Sequence, residues 1–129
     1  LDILLVEDNK VNQKLARAML TKRKHNVTVA ESGQQALDIL QSNSFDLIFM
    51  DCLMPVLNGY ETTIKLRELD VKAAQSDDHI PIVALTANAM PEDKQKCLDV
   101  GMDDYLAKPI VFNELCRVLS LYERKKAER

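Results

Sequence analysis

The chain is 129 residues long and carries 17 Lys+Arg against 20 Asp+Glu, which gives a formal net charge of −3. With 47% hydrophobic residues it has the composition of one globular domain, which argues against a multi-domain, disordered or membrane chain. The slightly acidic balance provides no broad basic surface of the kind that binds nucleic acid. No apolar run approaches the roughly 18 residues of a membrane span, so we expect a soluble, cytoplasmic domain that does not enter a membrane.

The cysteines, the histidines and the first residue each add an expectation. The three cysteines are odd in number and form no C-x-x-C pair, which favours a reducing compartment over a disulfide framework. His25 and His79 stand apart from each other, so we expect neither to bind a metal or to act in catalysis. Because the chain begins with Leu1 rather than Met, we expect it to be a domain of a longer polypeptide.

Strand-length apolar runs alternate with helix-period segments five times, a pattern that predicts β-α-β units around a parallel sheet. The predicted strands cover residues 3–6, 27–30, 46–50, 80–85 and 105–107. The predicted helices cover residues 11–22, a segment after the cap Ser32, residues 59–69, a segment between Pro91 and Gly101, and a segment from Val111 onward. The polar Thr28 suits an edge strand, whereas the apolar third strand suits the centre. We expect one domain over residues 1–123 and a charged helix end or linker over residues 124–129.

Polar side chains follow four of these five predicted strands. They are Glu7 and Asp8 after the first strand, Asp51 after the third, Thr86 at the end of the fourth, and Lys108 after the fifth. A doubly wound parallel sheet binds its ligands outside the carboxyl ends of its strands, where the strand order reverses. If the order is 2-1-3-4-5, the first and third strands are neighbours there, and Glu7, Asp8 and Asp51 come together.

Three neighbouring carboxylates repel one another unless a cation or a proton compensates them. Carboxylate and carbonyl oxygens suit Mg²⁺, which leaves coordination positions for phosphate oxygens. An Asp carboxylate can act as nucleophile in phosphoryl transfer, and Asp51, alone at the end of the most buried strand, is the best candidate. Lys108 and Thr86 would supply the cation and the hydroxyl that stabilise the transferring group.

Each of these residues also has a purely structural interpretation. Asp8 or Asn9 could cap the first helix, Asp51 could begin a turn, and Lys108 could be a solvated surface charge. Their joint occurrence at the carboxyl ends of different strands favours a site. By contrast, Asp103 and Asp104 precede the fifth predicted strand and are expected in a turn.

Four segments resemble, in order and spacing, the motifs of the response-regulator receiver domain. They are ILLVEDN at residues 3–9, IFMDCLMPVLNG at residues 48–59, ALTA at residues 84–87 and YLAKP at residues 105–109. The resemblance covers essentially the whole chain and implies a flavodoxin-like doubly wound (βα)5 fold with helices on both faces of the sheet. The run DNKVNQ at residues 8–13 further resembles receivers attached to hybrid sensor histidine kinases.

The resemblance assigns roles to individual residues. It implies Asp51 as phospho-acceptor, Glu7 and Asp8 as Mg²⁺ ligands together with Asp51, and Leu53 as the donor of a backbone carbonyl to the metal. Thr86 and Lys108 would contact the phosphoryl group, and Thr86 and Tyr105 would form the conformational switch. The Lys108–Pro109 bond is cis in the family. Leu53 and Asn88 occupy positions that vary in the family and would flank the water that removes the phosphoryl group.

The expected function is therefore Mg²⁺-dependent acceptance of a phosphoryl group from phosphohistidine, with self-catalysed transfer and autodephosphorylation, followed by a switch or relay of the signal. A histidine kinase and a histidine-phosphotransfer bundle are the implied partners of a monomer, the bundle docking near Val11, Asn12 and Leu15. A parent histidine kinase could be membrane-bound. One alternative is a stand-alone single-domain response regulator. Another is an aspartyl-phosphate phosphatase of the haloacid dehalogenase type, although Leu53 stands where that class has a second acid.

Two further alternatives are weaker. A flavin- or nucleotide-binding module would need a glycine-rich phosphate loop, and a chain with three glycines contains neither G-x-G-x-x-G nor the P-loop pattern. A phosphorylation-independent interaction domain is expected to have lost part of the site, and here all five positions are present.

Overall fold

The computed structural model describes residues 1–76, 78–87 and 90–128. The strands are β1 (Asp2–Val6), β2 (Asn26–Ala30), β3 (Leu47–Asp51), β4 (Ile82–Thr86) and β5 (Asp104–Ala107). The helices are α1 (Lys10–Lys22), α2 (Gly33–Leu40), α3 (Gly59–Glu68), α4 (Pro91–Asp99) and α5 (Phe112–Ala127). Strands and helices alternate, as the sequence predicts.

The five strands form one parallel sheet in the order β2-β1-β3-β4-β5, so the predicted doubly wound topology is confirmed. All residues of β3 and β4 are buried, whereas β2 lies at the edge and alternates between exposed and covered positions. Thr28 therefore lies in an edge strand, as expected. Because β1 and β3 are neighbours, their carboxyl ends lie side by side.

Successive strand residues point to opposite faces of the sheet, and each face has its own apolar core. On one face, residues such as Leu5 and Phe49 pack with Leu20 of α1 and Leu115 of α5. On the other face, alternate strand residues pack with α2, α3 and α4. Helices thus cover both faces of the sheet, in agreement with the flavodoxin-like prediction.

Several element boundaries differ from those predicted. The third strand includes Asp51, and the fourth begins at Ile82 rather than Ile80. Asp104 begins β5, so its assignment to a turn was wrong. The reason is that the backbone of Asp104 pairs with Val83, which the polarity of the side chain does not reveal.

The predicted helix ends agree with the structure to within one residue: α1 begins at Lys10 rather than Val11, and α3 ends at Glu68 rather than Leu69. Asn9, Ser32 and Asn58 cap α1, α2 and α3 with their side chains, and Gly101 follows α4 with a φ of 104°, a conformation that favours glycine. The charged segment after residue 123 continues α5 as far as Ala127. Within the described residues, no helix has both the length and the apolar character needed to cross a bilayer.

Candidate functional site

Three carboxylates meet at the carboxyl ends of β1 and β3. Oxygens of Glu7, Asp8 and Asp51 lie within 4.8 Å of one another. Glu7 and Asp51 are only 1% and 2% exposed, whereas Asp8 is exposed. Burial in a low-dielectric environment strengthens repulsion between like charges, so this cluster favours a cation at its centre.

Lys108, which follows β5, provides one positive charge to this cluster. Its Nζ lies 2.8 Å from Asp51 Oδ1 and 3.1 Å from Glu7 Oε1. Its backbone N–H donates a 2.8 Å hydrogen bond to the carbonyl of Thr86, which fixes the start of the β5–α5 connection against β4. The Lys108–Pro109 peptide bond is cis. Glu7 and Asp51 therefore share one ammonium, and the third carboxylate, Asp8, lies beside them.

The charges in the cluster shift the pKa values of their neighbours. Burial, the hydrogen bond with Asp51 and the negative charge of Asp51 raise the pKa of Glu7 to about 7, although Lys108 opposes this shift. Burial alone would lower the pKa of Lys108, but hydrogen bonds and attraction to Asp51 and Glu7 outweigh it and raise that pKa. Lys108 is thus held in its charged form.

Gln13 and Asn9 hold the turn that carries Glu7 and Asp8 in place, and the sequence predicted no role in the site for Gln13. Gln13, on the first turns of α1, donates from Nε2 to the carbonyl oxygen of Glu7 over 2.6 Å. The Asn9 side chain accepts hydrogen bonds from the backbone N–H groups of Val11 and Asn12. Asn9, not Asp8, is therefore the cap of α1, which leaves the Asp8 carboxylate available to the cluster.

The loop after Asp51 approaches the strand end very closely. The Leu53 N–H donates a 3.1 Å hydrogen bond to Asp51 Oδ1. The Gly59 N–H donates to the carbonyl of Cys52, and a Cβ at Gly59 would lie 2.2 Å from the carbonyl oxygen of Asp51. Only glycine fits at residue 59 without moving the backbone of the proposed acceptor.

The remaining predicted residues differ in their burial and in their surroundings. Thr86 ends β4, beside β3, and is 4% exposed. Leu53 has a side chain that is 68% exposed beside the cluster. Tyr105 is half-buried on β5, where it packs against the core formed with α2, α3 and α4 and Lys94 Nζ lies 4.8 Å from the centre of its ring. Asn88 lies outside the described residues.

The rule that ligand-binding residues follow the carboxyl ends of the strands, here called the strand-end rule, identified the charged groups. It missed Gln13, Gly59 and the Leu53 amide. The sequence signals that could have identified two of them are local. Gln13 lies four residues after the helix cap Asn9, and Gly59 begins a helix directly after another cap, Asn58. Oxygens from Glu7, Asp8 and Asp51 form the type of donor set that hard divalent cations prefer, so the residues present fit Mg²⁺.

Comparison with known proteins agrees with this geometry. Residues 3–120 match the family described as response regulator receiver domain. The chain is 46% identical over 113 residues to hybrid signal transduction histidine kinase I of Dictyostelium discoideum, an alignment that covers 84% of this chain and 6% of that protein. The chain thus spans a small part of the kinases that it resembles.

Solved structures of receiver domains share the fold. The receiver domain of sensor histidine kinase PA1611 from Pseudomonas aeruginosa PAO1, with magnesium coordinated in its active-site cleft, is 44% identical. That alignment covers 94% of this chain and 95% of the other, with a TM-score of 0.80.

A second solved structure includes a signalling partner. A chain in the co-crystal structure of the Saccharomyces cerevisiae histidine phosphotransfer protein Ypd1 and the receiver domain of its downstream response regulator Ssk1 is 34% identical. The alignment covers 95% of this chain and 88% of the other, with a TM-score of 0.86. Sequence, fold and acidic site thus lead to one conclusion: the chain belongs to the response regulator receiver domain family of two-component phosphorelay signalling.

Proposed function

We propose that this chain accepts a phosphoryl group from phosphohistidine on Asp51 in a Mg²⁺-dependent reaction. The observation that carries this proposal is the contact between the buried Asp51 carboxylate and Lys108 Nζ, 2.8 Å apart, inside a cluster with Glu7 and Asp8. A purely structural carboxylate at this depth would be matched by a cation of its own. Here Asp51 shares Lys108 with the equally buried Glu7, and Asp8 lies beside them.

The metal ligands follow from the cluster. Glu7, Asp8, Asp51 and the backbone carbonyl of Leu53 would hold Mg²⁺, the ion coordinated in the cleft of the Pseudomonas receiver. When bound, the ion neutralises charge on the carboxylates and on the phosphoryl oxygens. Because Glu7 has a raised pKa, binding of a cation also favours release of its proton.

The chain's own residues carry the transfer step. A carboxylate oxygen of Asp51 attacks the phosphorus, a P–O bond forms as the P–N bond breaks, and the donor imidazole leaves with the electron pair. Lys108 lies where its ammonium can move from Asp51 to the incoming phosphoryl oxygens. The Thr86 hydroxyl can donate a hydrogen bond to the same group.

Transfer of the signal would use different surfaces. Val11 and Leu15 on α1 are 66% and 54% exposed, and Leu15 lines a small cavity together with Glu7 and Lys108. A histidine-phosphotransfer bundle that covers these apolar side chains would reach Asp51. Movement of Thr86 toward the phosphoryl group would in turn change the packing of Tyr105, the proposed switch residue.

The extent of the domain and the kind of protein that contains it are also proposed. We infer that the receiver unit spans residues 1–123, that residues 124–129 are a charged helix end or linker, and that the unit acts as a monomer in the cytoplasm within a hybrid sensor histidine kinase. The alternative of a stand-alone regulator predicts the same chemistry at Asp51. The exposed, apolar Leu53 argues against a phosphatase, because it lacks the acid that such an enzyme needs there.

Intact-mass spectrometry tests the proposal. The chain is incubated with acetyl phosphate and Mg²⁺, and we expect one phosphoryl adduct that Asp51→Asn abolishes. Glu68→Gln, which changes an exposed acid on α3, is the matched control and keeps the adduct. An adduct that survives Asp51→Asn, or one that forms fully in excess chelator, contradicts the assignment.

A further inference from the structure

Helix α1 carries a concentration of positive charge that the phosphoryl chemistry does not use. Four of the chain's 17 Lys+Arg residues lie on it, and it contains no Asp or Glu, although the chain as a whole has a net charge of −3. The four residues are Lys10, Lys14, Arg17 and Lys22. The remainder of the chain is correspondingly more acidic.

Three of these residues form a continuous stripe. Lys10, Lys14 and Arg17 recur at helical spacing, and all three are exposed. They line a shallow cavity of about 360 Å³ that α1 forms with β2 and the start of α2. We call Lys10, Lys14 and Arg17 the basic stripe.

The basic stripe is little compensated by its surroundings. Lys10 forms an ion pair with Glu31, but among residues 1–76, 78–87 and 90–128 neither Lys14 nor Arg17 forms one. Like charges three and four residues apart disfavour a helix, and Lys10 lies in the first turn, where the helix dipole disfavours a cation. The sequence therefore maintains this charge against the stability of α1.

The location of the stripe relates it to the phosphoryl site. On α1 it runs beside the exposed apolar pair Val11 and Leu15, and Leu15 lines the cavity that contains Glu7 and Lys108. Any partner that covers the apolar pair on its way to Asp51 therefore passes close to the basic stripe. The acidic cluster itself repels a phosphorylated, negatively charged donor.

We propose that the basic stripe docks an acidic rim on the histidine-phosphotransfer bundle and steers that bundle toward Asp51. The inference rests on the proposed function, since it assumes that a phosphohistidine donor covers Val11 and Leu15. A line of positive charge beside an apolar patch raises the association rate of an acidic surface and sets its orientation. The apolar pair then supplies contact area, and the basic stripe raises the association rate and selects for an acidic partner surface.

A protein partner explains the charge pattern better than a polyanion does. Nucleic acid or an anionic membrane surface would meet the acidic remainder of this chain as well as the stripe. The stripe is also confined to a single helix that borders an apolar pair, which suits an interface with an apolar centre and a charged margin.

The test measures phosphoryl transfer from phospho-Ypd1 to this chain at about 20 mM and about 300 mM salt, between which screening increases strongly. The double variant Lys14→Glu/Arg17→Glu reverses the stripe. Its matched control, Lys65→Glu/Arg124→Glu, makes the same change of net charge at exposed positions on α3 and α5. Labelling by acetyl phosphate reports separately on the chemistry at Asp51.

We expect the stripe variant to accept the phosphoryl group about tenfold more slowly at low salt, with little remaining salt dependence, while the control variant behaves as wild type. Acetyl phosphate should label all three chains alike. Equal transfer by the stripe and control variants overturns the inference even if Asp51 is labelled. Loss of acetyl phosphate labelling in the wild-type chain instead overturns the proposed function.

A second measurement does not depend on recognition of Ypd1. Nuclear magnetic resonance titration with a hexaglutamate peptide should shift amide signals of α1, and the stripe variant should lose these shifts. Absence of α1 shifts in the wild type contradicts the inference. So does stripe-dependent binding to phosphatidylserine vesicles or to duplex DNA together with unchanged phosphoryl transfer, because the stripe would then serve another partner.

Discussion

Buried carboxylates have opposite surroundings at the two ends of the parallel strands. We call the side of the sheet where the strands end the carboxyl edge, and the side where they begin the amino edge. At the carboxyl edge, Glu7 and Asp51 share the ammonium of Lys108, and the Asp8 carboxylate lies beside them. At the amino edge, Asp46, which is 1% exposed, accepts a 2.7 Å hydrogen bond from the backbone N–H of Asp2 and a 2.9 Å ion pair from Lys126. One edge crowds its negative charges, whereas at the other edge the buried Asp46 has a cation that it shares with no second buried acid.

Asp103, near the amino edge, is neutralised in the same way as Asp46. Its Oδ2 accepts from the backbone N–H of Ile82 at 2.8 Å and from Arg67 at 2.9 Å, while His79 lies 3.2 Å from Oδ1. Arg67 also donates to the carbonyls of Gly101 and Ile80. These contacts join α3, β4 and the start of β5, which is a structural role.

The difference teaches how to separate structural from functional acids in this fold. A carboxylate that shares its cation with no other buried carboxylate contributes to stability, as Asp46 does with Lys126. Carboxylates that face one another with too few cations cost stability and persist for the ligand that they bind.

Removal of an amino-edge acid should have the largest effect on stability. Asp46→Ala leaves the Asp2 N–H and Lys126 without their partner, so we expect the free energy of unfolding to fall by about 2–3 kcal/mol. Asp51→Asn removes repulsion with Glu7 and should leave that free energy unchanged or higher. Urea denaturation measures both, with the exposed Glu68→Ala as control. A destabilisation by Asp51→Asn as large as that by Asp46→Ala contradicts the comparison.

Magnesium should stabilise the carboxyl edge alone. At about 10 mM Mg²⁺ we expect the free energy of unfolding to rise by about 1–2 kcal/mol through binding to the folded state. Asp8→Ala should lose most of this gain, whereas Asp46→Ala should keep it. Thermal unfolding with and without the ion reports the difference, and an equal gain in Asp8→Ala removes Asp8 from the metal site.

The raised pKa of Glu7 predicts a pH dependence in chelator. Its pKa lies near 7 in the folded chain, against 4.5 as its ordinary value, so between these pH values the folded state holds a proton that the unfolded state has lost. Stability contributed by protonated Glu7 is therefore present below pH 4.5 and falls as the pH rises to about 7, by at most about 3 kcal/mol. Glu7→Gln should remove this component, and an identical pH profile for the variant contradicts the prediction.

The smallest effect concerns the lifetime of the phosphoryl group. Leu53 is exposed beside Asp51 and cannot orient a water, so Leu53→Asn should change the rate of dephosphorylation about two- to fivefold, as one hydrogen bond of about 0.5–1 kcal/mol would. Val56→Asn, on the same exposed loop, is the control. Cys52→Asn is less suitable, because Cys52 is buried and burial raises its pKa to about 12. Equal effects at residues 53 and 56 contradict a role for the Leu53 position.

The sequence predicted the fold because its strands are strongly apolar and its helix caps are explicit. The strand-end rule then placed Glu7, Asp8 and Asp51 together, since it depends only on strand order and polarity. The role of Asp104 was missed because a single polar residue at a strand end resembles a turn. Backbone pairing decided that position.

The amino edge was not predicted at all. Asp46 and Lys126 are 80 residues apart, and neither belongs to a motif. Such a pair is set by the length and direction of α5 relative to β3, which local patterns do not specify. The same holds for Arg67 and Asp103, which lie 36 residues apart and whose contacts depend on how α3 packs near the start of β5.

The central claim is that the crowded carboxyl edge is a phospho-acceptor site. Its most direct test locates the phosphoryl group by borohydride reduction and peptide mass spectrometry after reaction with acetyl phosphate. We expect modification at Asp51 alone, with Mg²⁺ required. Modification at another residue, or at Asp51 to the same extent in chelator, would contradict it.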